Sequence, residues 1–185
     1  MIKRKDKIVI AALELLEEGG VSNVTTKNLA MKQGISEPAL YRQFNNKHDI
    51  FIAIINEYAS YDEKIMNTIM EQGLKGRIAI EFYITRYMEL YQSYSELTTI
   101  VYSFDLYFYE NDTKELMIGI INKREDFLKN WLNKYPIKNC KLQPSYLASV
   151  VNDLMYGEVF KWRLSNKTYS LTASVLQKVS VLLEA

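Results

Sequence analysis

Tyr41 and Arg42 stand side by side at the end of a short segment, SEPALYRQF, whose other outward residues are Glu37, Pro38 and Ala39. A phenol, a guanidinium and small apolar groups on one exposed helical face suit the major groove of DNA better than they suit bond-making chemistry. Lys27 and Lys47 flank the segment. Ammonium groups so placed would supply the phosphate attraction behind most non-specific DNA affinity. Constellations for other chemistry are missing. No nucleophile–base pair and no phosphate-binding glycine loop appears, so the chain is not expected to be an enzyme. One histidine (His48) and one cysteine (Cys140) make no metal cluster and no internal disulfide, so neither a metal nor a cofactor is expected.

The elements that must carry that face can be read from caps and breaks. Thr25 stands where a helix N-cap belongs, and Leu29 and Ala30 give the short helix its buried side. Gly34 supplies the positive φ of a sharp reversal, and Ile35 plugs the turn. Ser36 caps the next helix, with Pro38 in the first turn, where a missing N–H costs nothing. Leu40 and Phe44, four apart, share the inward face. This is a helix-turn-helix. Ahead of it, Ile8, Ala11, Ala12, Leu15 and Leu16 make the apolar stripe of a first helix over about Asp6–Glu18, ended by Gly19 and Gly20.

Composition frames the rest. The chain has 185 residues, 48% hydrophobic and 24% charged, with only 3 prolines and 7 glycines. That is globular, and apolar residues recur at three and four, which predicts an all-α fold. No apolar run is long enough to span a bilayer, and no signal-peptide core follows MIKRKDK, so a cytoplasmic protein is expected. The net charge of +1 decides nothing about nucleic acid, but the first fifty residues hold eight basic groups against six acidic. Lys3, Arg4 and Lys5 form a basic arm, either a phosphate contact or a solvated terminus.

KIVIAALELLEEGG, VTTKNLAMKQGISEPALYRQF and NNKHDI together resemble the N-terminal signature of TetR-family transcriptional regulators. The resemblance covers roughly the first quarter of the chain. It implies an all-helical homodimer with an operator-binding head over residues 1–46. Residues 47–185 would be a helical effector-binding and dimerisation domain, reached through a connecting helix over 47–72. By position, Thr25 and Thr26 would hydrogen-bond a phosphate, Lys27 would reach a phosphate or base edge, and Ser36 would touch the backbone. Glu37, Pro38 and Ala39 would face base edges, Tyr41 would donate to a phosphate, and Arg42 would read guanine or clamp a phosphate. Lys47 would meet a phosphate at the start of the fourth helix, which Asn46 caps. Gln43 stands where the family often has histidine, and Glu37 places an acid in the groove. Both bear on the operator sequence. His48 is expected at the surface near the DNA backbone.

Beyond the head the resemblance is one of helical pattern only. Ile50, Ile54, Tyr58, Ile65 and Ile69 mark the inward side of one continuous helix from Lys47 to about Met70. Aromatics then crowd two helices: Tyr83, Tyr87 and Tyr91 with Met88 on one, and Tyr102, Phe104, Tyr107, Phe108 and Tyr109 on the next, followed by Phe127 and Trp131. Aromatics at helical spacing usually just pack. So many hydroxyls in a dry core nevertheless need partners, which suggests a pocket for a small hydrophobic or aromatic effector, or a cation cage helped by Asp105 or Glu89. Pro144 opens a helix carrying Val151, Leu154, Met155, Gly157 and Phe160, and a last helix over about Tyr169–Leu183 carries Leu176, Val179 and Leu183. Two wide apolar faces near one end suit a four-helix dimer interface, with Gly157 permitting close approach. The expected function is a dimeric repressor that binds a palindromic operator and is released by an effector. The alternative is an architectural or partner-regulated DNA-binding protein with the same head and no inducer.

Overall fold

A computed structural model describes residues 4–108 and 111–184, whose regular elements are all helices, with no strand among them. Lys3 of the basic arm and Tyr109 lie outside the described residues. The chain gathers into two compact units, Met1–Tyr61 with Tyr94–Gly119, and Asp62–Ser93 with Ile120–Ala185.

In the first unit, α1 (Arg4–Asn23) is regular until Gly19 and Gly20, where the backbone leaves helical space; Gly20 takes φ +71°. Its expected stripe, Ile8, Ala11, Ala12, Leu15 and Leu16, is buried. Against it pack α2 (Thr26–Gln33) and α4 (Lys47–Ala59), with α3 (Glu37–Tyr41) against α2. Lys32 ties α2 to α1, bridging to Glu14 at 3.1 Å and Glu18 at 2.7 Å, while within α1 the Asn23 amide donates to the Leu15 carbonyl at 3.0 Å.

Two expected helices are broken. The helix drawn from Lys47 to Met70 stops at Ala59 and restarts as α5 (Asp62–Glu71), in the second unit. Both the Ser60 N–H (3.1 Å) and its hydroxyl (2.7 Å) bond the Glu57 carbonyl, a local alternative to the next helical turn. The second aromatic helix is likewise a 3-10 turn (Ser95–Thr98) followed by α7 (Thr99–Tyr102) and α8 (Phe104–Phe108). Hydroxyls again intervene: Thr98 donates to the Ser95 carbonyl at 2.6 Å, and Ser103 to the Thr99 carbonyl at 2.8 Å.

In the second unit, α6 (Gly76–Ser93) packs on α5 and on α11 (Leu171–Glu184), and α11 packs on α10 (Pro144–Leu164). The long α9 (Asn111–Lys134) begins in the first unit and ends in the second. The last helix starts at Leu171 rather than Tyr169, after positive φ at Asn166 and Lys167. Asp112 sits inside the first turn of α9. No helix among the described residues is long and apolar enough to cross a membrane.

Candidate nucleic-acid interface

The head presents its face through local capping. The Thr25 hydroxyl accepts from the Asn28 N–H at 3.1 Å and starts α2. Gly34 closes that helix at φ 60°, ψ 35°, the left-handed conformation expected of it. Ser36 takes the extended backbone of a cap, but its hydroxyl makes no capping bond. Leu40 and Phe44 are buried. Ser36, Glu37, Pro38, Tyr41 and Arg42 remain exposed and Ala39 half-buried, with Tyr41 keeping 49% of its surface. Lys27 is exposed as well. The face drawn from spacing is therefore open within its unit.

Thr26, Lys47 and His48 carry partners that spacing did not show. Thr26 donates to the Glu37 carboxylate at 2.7 Å, joining the first turns of α2 and α3. Lys47 donates to the Val21 carbonyl at 3.2 Å and lies 5.1 Å from the Phe51 ring centre, and burial lowers its pKa. Asn46 caps α4 as expected, accepting from the Asp49 N–H at 2.8 Å. His48 is not a plain surface residue. It is half-buried, with Nε2 2.6 Å from Asp112 Oδ2 at the start of α9. Beside it runs an open groove of about 530 Å³ lined by Lys5, Phe44, His48, Ile52, Asn56 and Asp112 among others.

The aromatic effector candidates divide between the units. Tyr102 and Tyr107 are half-buried in the first, where Tyr107 donates to the Ile100 carbonyl at 2.7 Å; Phe104 and Phe108 are exposed there, at 60% and 76%. In the second unit Tyr83, Tyr87, Met88 and Tyr91 are buried, and Phe127 and Trp131 half-buried. Tyr83 stacks on Phe127 at 6.4 Å, and Phe127 on Trp131 at 6.0 Å.

The tyrosine hydroxyls thought to want a ligand find partners in the chain. Tyr83 donates to Asn152 at 3.0 Å and Tyr87 to Asp62 at 2.8 Å. Arg124 donates to the Tyr91 hydroxyl at 3.0 Å, and through Nε and Nη2 to Asp62 at 2.8–3.1 Å. Its guanidinium carbon lies 4.6 Å from the Tyr87 ring centre. Burial holds the Tyr87 hydroxyl well above the ordinary phenol range, against the opposing pull of Arg124. A cation does sit among the tyrosines, and it is the chain's own. The acid facing it is Asp62, whereas Asp105 is exposed and Glu89 pairs with Arg86 at 3.1 Å. Neither Asp62 nor Arg124 was singled out from sequence, since the two are 62 residues apart and carry no spacing signature. A separate cavity of about 210 Å³, lined by Leu132, Ile137, Cys140, Leu142 and Leu147 among others, lies under the loop between α9 and α10. It is smaller than the usual small-molecule site.

The dimer candidates also divide. Val151, Met155, Val179 and Leu183 are buried within the chain itself. Leu154 and Leu176 are half-buried, and Gly157 and Phe160 exposed, Phe160 at 49%. A Cβ on Gly157 would meet nothing within 4 Å, so no close approach inside the chain requires this glycine.

Residues 8–54 match the model of bacterial regulatory proteins of the tetR family. The class D tetracycline repressor of Escherichia coli is 42% identical over 53 residues, which cover 29% of this chain but only 24% of that repressor. The nucleoid occlusion factor SlmA of Aliivibrio fischeri is 27% identical over 173 residues, 91% of this chain and 88% of that factor. Among solved structures, the regulator FadR of Bacillus subtilis in complex with stearoyl-CoA superposes with a TM-score of 0.76 at 21% identity, covering 95% of this chain and 97% of that one. Over residues 8–54 the chain thus resembles the tetR family of bacterial regulatory proteins, and along nearly its whole length it shares the fold of that solved regulator.

Proposed function

We propose that the chain is a DNA-binding transcriptional regulator that binds a palindromic operator as a homodimer. The observation that carries this reading is the open face of Glu37, Pro38, Tyr41 and Arg42 on a capped helix-turn-helix. One such helix reads a few base pairs in the major groove, and a two-fold pair reads half-sites about 34–36 Å apart or a multiple of that. Leu154, Gly157, Phe160 and Leu176, left partly or fully exposed on α10 and α11, are the candidate contacts between copies. The functional division places the operator-binding head at 1–46 and the remainder at 47–185. The reading assigns the chain no reaction to catalyse, and its place is where the DNA is, in the cytoplasm.

The chain acts as a repressor released by a small hydrophobic effector. Support comes from the structural likeness to a regulator holding stearoyl-CoA and from the aromatic second unit. An effector releases DNA only if it prefers the conformation that does not bind, and a coupling of ~1–3 kcal/mol is typical. The test is operator binding by the full chain across a panel of acyl and aromatic compounds, where at least one should weaken binding fivefold or more. A second reading, regulation by a partner protein without an inducer, is favoured by two observations. The nucleoid occlusion factor is similar along nearly the whole chain, and the second unit's tyrosine hydroxyls are bonded internally. A panel that leaves operator affinity untouched would select it.

A further inference from the structure

The two threonines that open α2 are alike in sequence and unlike in bonding. Thr25 accepts from the Asn28 N–H, which leaves its hydroxyl proton for a phosphate. Thr26 already donates its hydrogen bond to Glu37, 2.7 Å away. A hydroxyl has a single proton to donate, and an ionised carboxylate has none, so this bond can run in one direction only. Thr26 therefore cannot serve a phosphate while it holds Glu37.

We propose that Thr26 is a positioning residue for Glu37, and that the pair sets the base preference at one position of the operator. The inference rests on the reading of α3 as the major-groove helix. A loose carboxylate at the mouth of the groove would swing in the field of the phosphates, which repel it. A charge-assisted bond to Oε2 pins it against α2 and leaves Oε1 to face the bases. In the major groove cytosine offers its N4 amino group with only a C–H beside it on the same base. Adenine places the N7 lone pair next to its N6 amino group, and guanine offers acceptors only. The pinned carboxylate selects cytosine and rejects the other bases.

The experiment selects duplexes from a random pool with the full chain, then measures binding to the consensus and to single-base variants of it. Thr26→Val, Thr26→Ser, Glu37→Gln and the double variant Thr26→Val with Glu37→Gln are compared. Thr26→Val and Glu37→Gln should each cut the preference at the same cytosine by roughly tenfold, the scale of one good base contact. The double variant should lose no more than either alone, and Thr26→Ser should keep the wild-type preference. Uniform weakening of every duplex by Thr26→Val would mark an ordinary phosphate contact and overturn the proposal. An unchanged preference in Glu37→Gln would overturn it equally. Should the wild-type chain enrich no duplex at all, the DNA reading falls first and this inference with it.

Discussion

Arg42 and Arg124 bracket what this chain does with a guanidinium. Arg42 closes a five-residue helix with its side chain exposed, in a head whose helix caps act on backbone groups a few residues away. Arg124 is 2% exposed, clamped on Asp62, roofed by Tyr87 and bonded to Tyr91, in a unit whose polar groups find partners from distant helices. An exposed cation keeps its affinity for an incoming phosphate or base. A buried one is consumed by the fold, and its loss leaves an uncompensated carboxylate. Residue type alone says little about role here; burial decides it.

The largest expected effect separates the two arginines. Arg124→Met strands Asp62 and should destabilise the chain by about 3–5 kcal/mol, read by chemical denaturation. Adding Asp62→Leu should recover most of that loss, because an apolar pair of similar volume often replaces a buried ion pair without cost. Arg42→Ala, with Tyr41→Phe as its milder companion, should do the opposite, weakening operator binding while the unfolding midpoint stays put. A fall in stability for Arg42→Ala would erase the contrast. Lys47 lies between the extremes, half-buried over Phe51 and tied to the Val21 carbonyl. If it still neutralises one phosphate, Lys47→Ala should reduce the slope of log affinity against log salt by about one unit.

The smallest effect is one of pH. Burial chiefly, and Asp6 in addition, raise the pKa of Glu57, while a hydrogen bond from Tyr61 lowers it. A carboxyl with a raised folded pKa favours folding when protonated, and that contribution is lost as pH rises through the folded value. Glu57→Gln should therefore raise the unfolding temperature slightly at neutral pH. The gain over wild type should shrink as the pH falls through the raised folded value and be gone below the ordinary carboxylate range.

The contrast between the arginines also explains what could be read in advance. Thr25, Gly34, Pro38 and Asn46 act on backbone groups within four residues of themselves, so their spacing announced the head. Leu40 and Phe44 were legible for the same reason, as helical period places both inward. The breaks at Ser60 and Ser103 were not. A side-chain hydroxyl that bonds a carbonyl three or four residues back is compatible with an unbroken helix as well as a broken one. The Asp62–Arg124 pair, the Tyr83–Asn152 bond and the His48–Asp112 contact each join residues more than sixty apart, and only the folded chain brings them together. Counting tyrosines correctly announced that their hydroxyls needed partners, but could not say that the chain supplied them itself.

Entry of the α3 face into a duplex is tested most directly by selection from a random duplex pool. The full wild-type chain should enrich a palindrome whose half-sites lie about one helical turn apart or a multiple of it, and Arg42→Ala, folded to the same stability, should lose that enrichment. Enrichment of no sequence by the wild type, or an Arg42→Ala chain that selects the same palindrome with undiminished affinity, would contradict it.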